Sequence, residues 1–331
     1  MFKNSQIYDG LLDWIDITQI DWDILVDNLN AVNLLEKNLD KIIGWVNFSA
    51  NPGSIKILEQ NQDKINWDYL SLNDGPNAIK LLKQNMDKIN WKYLSVNPQG
   101  FEILKNNIDK VDWYFLSLNE SISAIQILEK NLDKIDWKYF SKNPYAVRLL
   151  EQNRERIDWS YLSMNEGVGV EKLMETNESE LSYSCLSMNQ NKNVIKILER
   201  HVDKINWVLL SQNPSAIHIL EKNQDKIDWE CLSGNPNANH LLEKNPDKID
   251  WYALSGNPNA IHLLQQNLDK IDWNMFSTNR NIFKINYAFL KENALNVGIN
   301  AEIITERFHP DNILRFKGWG IEVSEQWNIG L

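Results

Sequence analysis

Asp250-Trp251-Tyr252-Ala253-Leu254-Ser255-Gly256-Asn257-Pro258-Asn259-Ala260-Ile261-His262-Leu263-Leu264-Gln265-Gln266-Asn267-Leu268-Asp269-Lys270-Ile271 is one period of this chain, and Asp272-Trp273 opens the next. The anchors are Trp22, Trp45, Trp67, Trp91, Trp113, Trp137, Trp159, Tyr183, Trp207, Trp229, Trp251 and Trp273, at intervals of 22 to 24 residues. A fixed period of this length is the signature of stacked repeats, each burying its apolar face on its neighbours. One register runs over residues 22–279 without a linker, so the length of 331 residues does not imply several globular domains.

Each period reads as two helices. Asp250 is a good N-cap for a short helix that places Trp251, Leu254 and Ser255 on one side. Asn257-Pro258 reads as the start of a second, amphipathic helix of about ten residues carrying Ala260, Leu263 and Leu264 inward. Asn267 is expected to end it in a left-handed conformation, with Ile271 buried and Lys270 in water. Helices this short are marginal alone, so stacking must stabilise them. The serine four residues after every anchor but the first (Ser49 through Ser277) reads as a small packing residue able to satisfy a local carbonyl. The expected fold is an all-α solenoid of about eleven two-helix repeats. It should run as an elongated superhelix with an N-terminal cap over 1–21 and a C-terminal helical cap over 280–331. A leucine-rich β-horseshoe is rejected because the apolar positions after Asn-Pro fit a helical face rather than the alternation of a strand.

The Asn-Pro opening and Leu-Leu pair make the repeat similar to the all-helical leucine-rich repeat variant. That resemblance implies an α-helix alternating with a 3-10 helix. The fuller phrase Asn-Pro-Asn-Ala-Ile-x-Leu-Leu-Glu-x-Asn…Asp-Lys-Ile-Asp-Trp resembles repeat proteins encoded in large families by giant DNA viruses of the mimivirus kind. The tail His309-Pro310-Asp311-Asn312-Ile313-Leu314-Arg315-Phe316-Lys317-Gly318-Trp319-Gly320 resembles their closing motif. The resemblance implies a viral origin and carries no assigned activity.

Composition bounds the partners. A net charge of −11 argues against a general nucleic-acid or anionic-membrane binder. No apolar run approaches the ~20 residues of a membrane span, and the N-terminus lacks a signal-peptide core. The two cysteines, Cys185 and Cys231, lie two repeats apart, too far to pair. These features suggest a soluble chain in a reducing, intracellular compartment, neither secreted nor membrane-inserted; the resemblance implies that this is the host cytoplasm, a viral factory or a virion.

No phosphate loop, zinc motif or nucleophile elbow occurs, so neither an enzyme, a cofactor nor a metal is expected. His218, His240 and His262 recur at 22 residues, but equivalent positions on stacked helices sit ~8–10 Å apart and cannot close on one ion. With Lys56, Lys80, Arg148, Lys172 and Lys196 they form a basic stripe, offset by glutamates three residues later. A second stripe, two residues after the anchor, carries Tyr69, Tyr93, Phe115, Tyr139 and Tyr161, and it is the first candidate for a protein partner. Two-residue insertions at Asn73-Asp-Gly-Pro76, Asn119-Glu-Ser-Ile122, Asn165-Glu-Gly-Val168 and Asn189-Gln-Asn-Lys192 fall largely in the same region and read as one rim. The expected function is a non-catalytic protein–protein interaction scaffold. A structural virion component and a nucleic-acid-binding helical repeat are the alternatives.

Overall fold

The computed structural model describes residues 7–287 and 289–290. The part of the expected C-terminal cap beyond residue 290, with its His309 to Gly320 motif, lies outside the described residues, as do residues 1–6. The repeats form an all-α solenoid. Twelve short helices start at the twelve anchors, from Trp22–Leu25 to Trp273–Thr278. A second helix and a 3-10 turn follow each of the first eleven, as in Ile261–Gln265 and Leu268–Lys270.

The local chemistry differs from the sequence reading in three places. Asp250 caps as expected, its carboxylate accepting from the Ala253 N–H at 2.7 Å. Asn257, however, opens no helix: its side-chain oxygen accepts from the Asn259 N–H at 3.0 Å, making a turn, and the second helix begins only at Ile261. That helix is therefore five residues long rather than about ten. It reaches nine only where two residues are inserted, as in Pro76–Gln84 and Lys192–Arg200. Asn267 ends its helix at φ −138°, outside the left-handed region, by donating its side-chain amide to the Leu263 carbonyl at 2.9 Å.

Between repeats run two ladders. Each Asn six residues after the anchor is buried, and its amide donates back to the preceding repeat: Asn165 reaches the carbonyls of Ser141 at 2.9 Å and Asn143 at 2.7 Å. Each buried Ser donates to its own anchor carbonyl and accepts from the N-cap N–H of the next repeat. Ser255, for example, donates to Trp251 at 2.7 Å and accepts from Asp272 at 3.0 Å. Buried backbone groups that the short helices leave unpaired are thus satisfied across the stack.

The ladders do not end. Asp21 donates its N–H to the Ser277 hydroxyl at 2.9 Å, and the Asn28 amide reaches the carbonyls of Ser277 at 3.3 Å and Asn279 at 3.0 Å. The first short helix packs on the last. The expected elongated superhelix is therefore a closed ring, because a turn of about 30° per repeat, shared among twelve, completes the circle. Strand β1 (Tyr8–Leu11) pairs antiparallel with β2 (Phe283–Ile285), and this two-stranded clasp follows the last short helix where a second helix would stand. Lys284 pairs with Asp13, and Trp14 packs on Phe276 with ring centroids 5.6 Å apart.

Short helices lie side by side around the ring. Of the second helices, only Val170–Glu175 and Lys192–Arg200 press closely on one another. In a closed ring the crowded layer is the inner one, so the short helices line a bore and the second helices form the outside. Between the layers sits one continuous core, in which Leu70, Leu94, Leu116 and Phe140 from inside meet Leu58, Leu82, Leu104 and Leu128 from outside, all fully buried. Each such leucine contributes roughly 1.5–3 kcal/mol by its burial. Axes ~8–10 Å apart imply a circle roughly 35 Å across, and subtracting a helix width of ~10–12 Å leaves an opening on the order of 20 Å.

Candidate functional site: the inner wall of the ring

On a short helix the third and fourth residues after the anchor are buried, so the first, second and fifth face away from the core, into the bore. The anchors themselves are half-buried at one edge of the core. Their outer faces are covered by the lysine of the next Asp-Lys-Ile turn: Lys88 lies 4.3 Å from the Trp67 ring, Lys110 4.6 Å from Trp91 and Lys270 4.4 Å from Trp251. Lys270 is exposed, as expected, and cation–π attraction rests it on the indole. Lys three residues before eight of the twelve anchors, from Lys64 to Lys270, is the sequence signal for this contact.

The aromatic stripe lines the bore over repeats three to seven. Its rings are half-buried between neighbouring short helices and pack edge to face. Tyr69 meets Tyr93 at 6.5 Å, Tyr93 meets Phe115 at 6.3 Å, and Tyr139 meets Tyr161 at 5.1 Å. Tyr114, which the periodicity did not single out, bridges the gap, 5.1 Å from Phe115 and 4.6 Å from Tyr139. Interaction with the Tyr139 hydroxyl pushes the Tyr114 phenol up to about 12, while the hydroxyl contacts with Tyr114 and Tyr161 lower that of Tyr139. Six rings thus form one continuous arc of wall. Beyond it the same position holds Cys185, Leu209, Cys231, Ala253 and Met275.

The basic stripe lies outside, on the second helices, and five of its eight members meet a glutamate. Lys56 pairs with Glu36 at 2.7 Å and Arg148 with Glu129; His218, His240 and His262 lie 2.8–2.9 Å from Glu199, Glu221 and Glu243. The partner is in each case the glutamate of the preceding repeat, not the one three residues later, because stacking brings the preceding helix alongside. Lys80, Lys172 and Lys196 have no carboxylate partner among the described residues. Lys196 instead donates to the Asn193 side chain at 3.2 Å. An open cleft of about 410 Å³ beside it is lined by Lys192, Glu199, Ser215 and His218.

The inserted segments lie where the chain passes from the inner to the outer layer, and they knit to the preceding repeat. A Cβ on Gly167 would come within 2.2 Å of the Pro144 carbonyl, so only glycine fits that approach. Glu166 accepts from the Gln190 N–H at 2.9 Å, joining two insertions.

No helix among the described residues is long and apolar enough to cross a membrane. No family model, curated protein or solved structure matches the chain.

Proposed function

We propose that this chain is a non-catalytic protein-binding scaffold whose ring holds an extended segment of a partner against the aromatic arc of its bore. One observation carries the reading: six aromatic rings make a single solvent-facing surface over one arc of the inner wall and are not repeated around the rest. Large rings with polar edges dominate interface energetics because they bury much area at little entropic cost. An opening on the order of 20 Å suits an extended chain or a single helix of ~10–12 Å, not a folded domain. The resemblance to giant-virus repeat proteins extends the proposal to a viral scaffold acting in the host cytoplasm or in a viral assembly. A purely structural role in a virion would make no use of the arc.

Displayed-peptide selection on the intact chain, followed by titration, tests it. The triple variant Tyr93→Ala, Tyr139→Ala, Tyr161→Ala should keep the helicity of the parent and weaken a selected peptide at least thirtyfold, as loss of one hot-spot ring does. Unchanged affinity in the folded variant would reject the arc.

A further inference from the structure

We infer that the segment held by the arc is an acidic polypeptide, with two neighbouring carboxylates and a third about five or six residues away. This rests on the reading of the arc as a polypeptide-binding surface and adds the chemistry of what it takes. The bore-facing positions of all twelve repeats hold only three cations among the described residues: Lys92, Lys138 and Lys142. All three project from the arc. Its one acid, Asp68, stands at the edge and is engaged by the Asn90 amide at 2.9 Å. The other bore-facing acids, Asp23, Asp27 and Glu230, lie outside the arc. At these positions the bore of an acidic protein is polarised, with three cations to one acid where it is aromatic; at the rim Glu120 lies beside Lys142 and Asp136 acts on Tyr114 and Tyr139.

These lysines differ from the paired members of the outer stripe. None has a carboxylate partner among the described residues, and two rest on rings: Lys92 lies 4.8 Å from Phe115, and Lys138 5.0 Å from Tyr161. A lysine in this setting can swing to an incoming carboxylate while its stem stays on the ring. Lys138 and Lys142 are four residues apart on one helix, hence neighbours ~5–6 Å apart. Lys92 lies two repeats away, ~16–20 Å at the usual helix spacing, which an extended chain spans in about five or six residues.

The same geometry disfavours single-stranded nucleic acid. Bases bind such surfaces by stacking on open ring faces. Here the rings meet edge to face and lysines occupy the faces of Phe115 and Tyr161. Ring edges, hydroxyls and ammonium groups suit peptide carbonyls and carboxylates better.

The test is fluorescence anisotropy on the intact chain with a labelled synthetic peptide bearing Glu-Glu and a third Glu about six residues on, with Leu and Tyr between. Its Glu→Gln counterpart, oligo(dT), and the variants Lys92→Glu/Lys138→Glu and Tyr93→Ala/Tyr139→Ala/Tyr161→Ala complete the set. The acidic peptide should bind saturably, at least tenfold tighter than the Gln peptide, and weaken as salt rises. Charge reversal of Lys92 and Lys138 should invert the preference toward a Lys-bearing peptide. Equal binding of Glu and Gln peptides that is lost in the tyrosine variant would overturn the acidic class while leaving the arc standing. Binding indifferent to both sets of substitutions would overturn the arc as well, as would no peptide binding at all. Preferential binding of oligo(dT) would replace the polypeptide with a nucleic acid.

Discussion

The side-chain amide of Asn28, in the first repeat, donates to the carbonyl of Asn279, in the last, at 3.0 Å. The bond repeats what Asn257 does to Asn235, also at 3.0 Å, between the tenth and eleventh repeats. Closure is thus one more copy of the internal junction rather than a special interface. The terminal strands add a clasp over it.

Asn28 is buried, and its removal would strand the carbonyls of Ser277 and Asn279. Asn28→Ala should therefore lower stability by about 1–3 kcal/mol, matching Asn165→Ala at an interior junction. Chemical denaturation of the two variants checks this. In an open array Asn28 would sit at a free end, and its loss would be nearly silent.

The weakest junction joins repeats one and two. Val26 stands where the other repeats have the ladder serine, Gly44 replaces the Asp, Asn or Ser cap, and Asn51 reaches only the Val26 carbonyl, at 2.9 Å. A Cβ on Gly44 would meet the Val26 side chain at 3.3 Å, a contact that serine at 26 removes. The double change Val26→Ser, Gly44→Asp should restore the rung and the cap and stabilise by about 1 kcal/mol in thermal unfolding. Hydrogen exchange in the parent should be faster across this seam than across the terminal clasp.

Trp159 lacks the lysine that covers Trp67, Trp91 and Trp251, because the equivalent residue is Glu180. Glu180→Lys should place an ammonium on that indole and raise stability by about 0.5–1 kcal/mol. An unchanged melting temperature would show that the lysine lids contribute nothing.

Glu178 is held below the ordinary carboxylate range first by its hydrogen bond to His201, 2.7 Å away, and then by Arg200. A lowered pKa in the folded state means that the contribution is complete above the usual value, near 4.5, and is lost as pH falls below it. The cluster is partly exposed, so the effect should be about 1 kcal/mol or less. Melting between neutral pH and about pH 3 should fall less steeply in Glu178→Gln than in the parent.

The repeat, the helical class, the Asp caps and the buried Leu and Ser positions were legible because each recurs with its anchor. Ring closure was not. It depends on a small rotation per repeat, and no single period encodes the sum. Asn257 was misread for a related reason: Asn before Pro serves equally as a helix cap or as a turn former whose amide reaches a neighbouring repeat, and only the neighbour decides. Tyr114 escaped notice because it lies one residue off the aromatic register. The outer stripe reads from sequence as offset by glutamates three residues later, but the partners that five of its members meet come from the preceding repeat, which requires knowing how the layers stack.

The ring is tested most directly by spin labels at Asp23 and Asn274, equivalent bore-facing positions of the first and last short helices, with Cys185 and Cys231 replaced by Ser. Pulsed dipolar spectroscopy should place the labels at neighbouring-helix separation, under about 20 Å, since adjoining axes lie ~8–10 Å apart. A separation on the order of 100 Å, the length of twelve layers in an open array, would contradict the closed ring and the bore that depends on it.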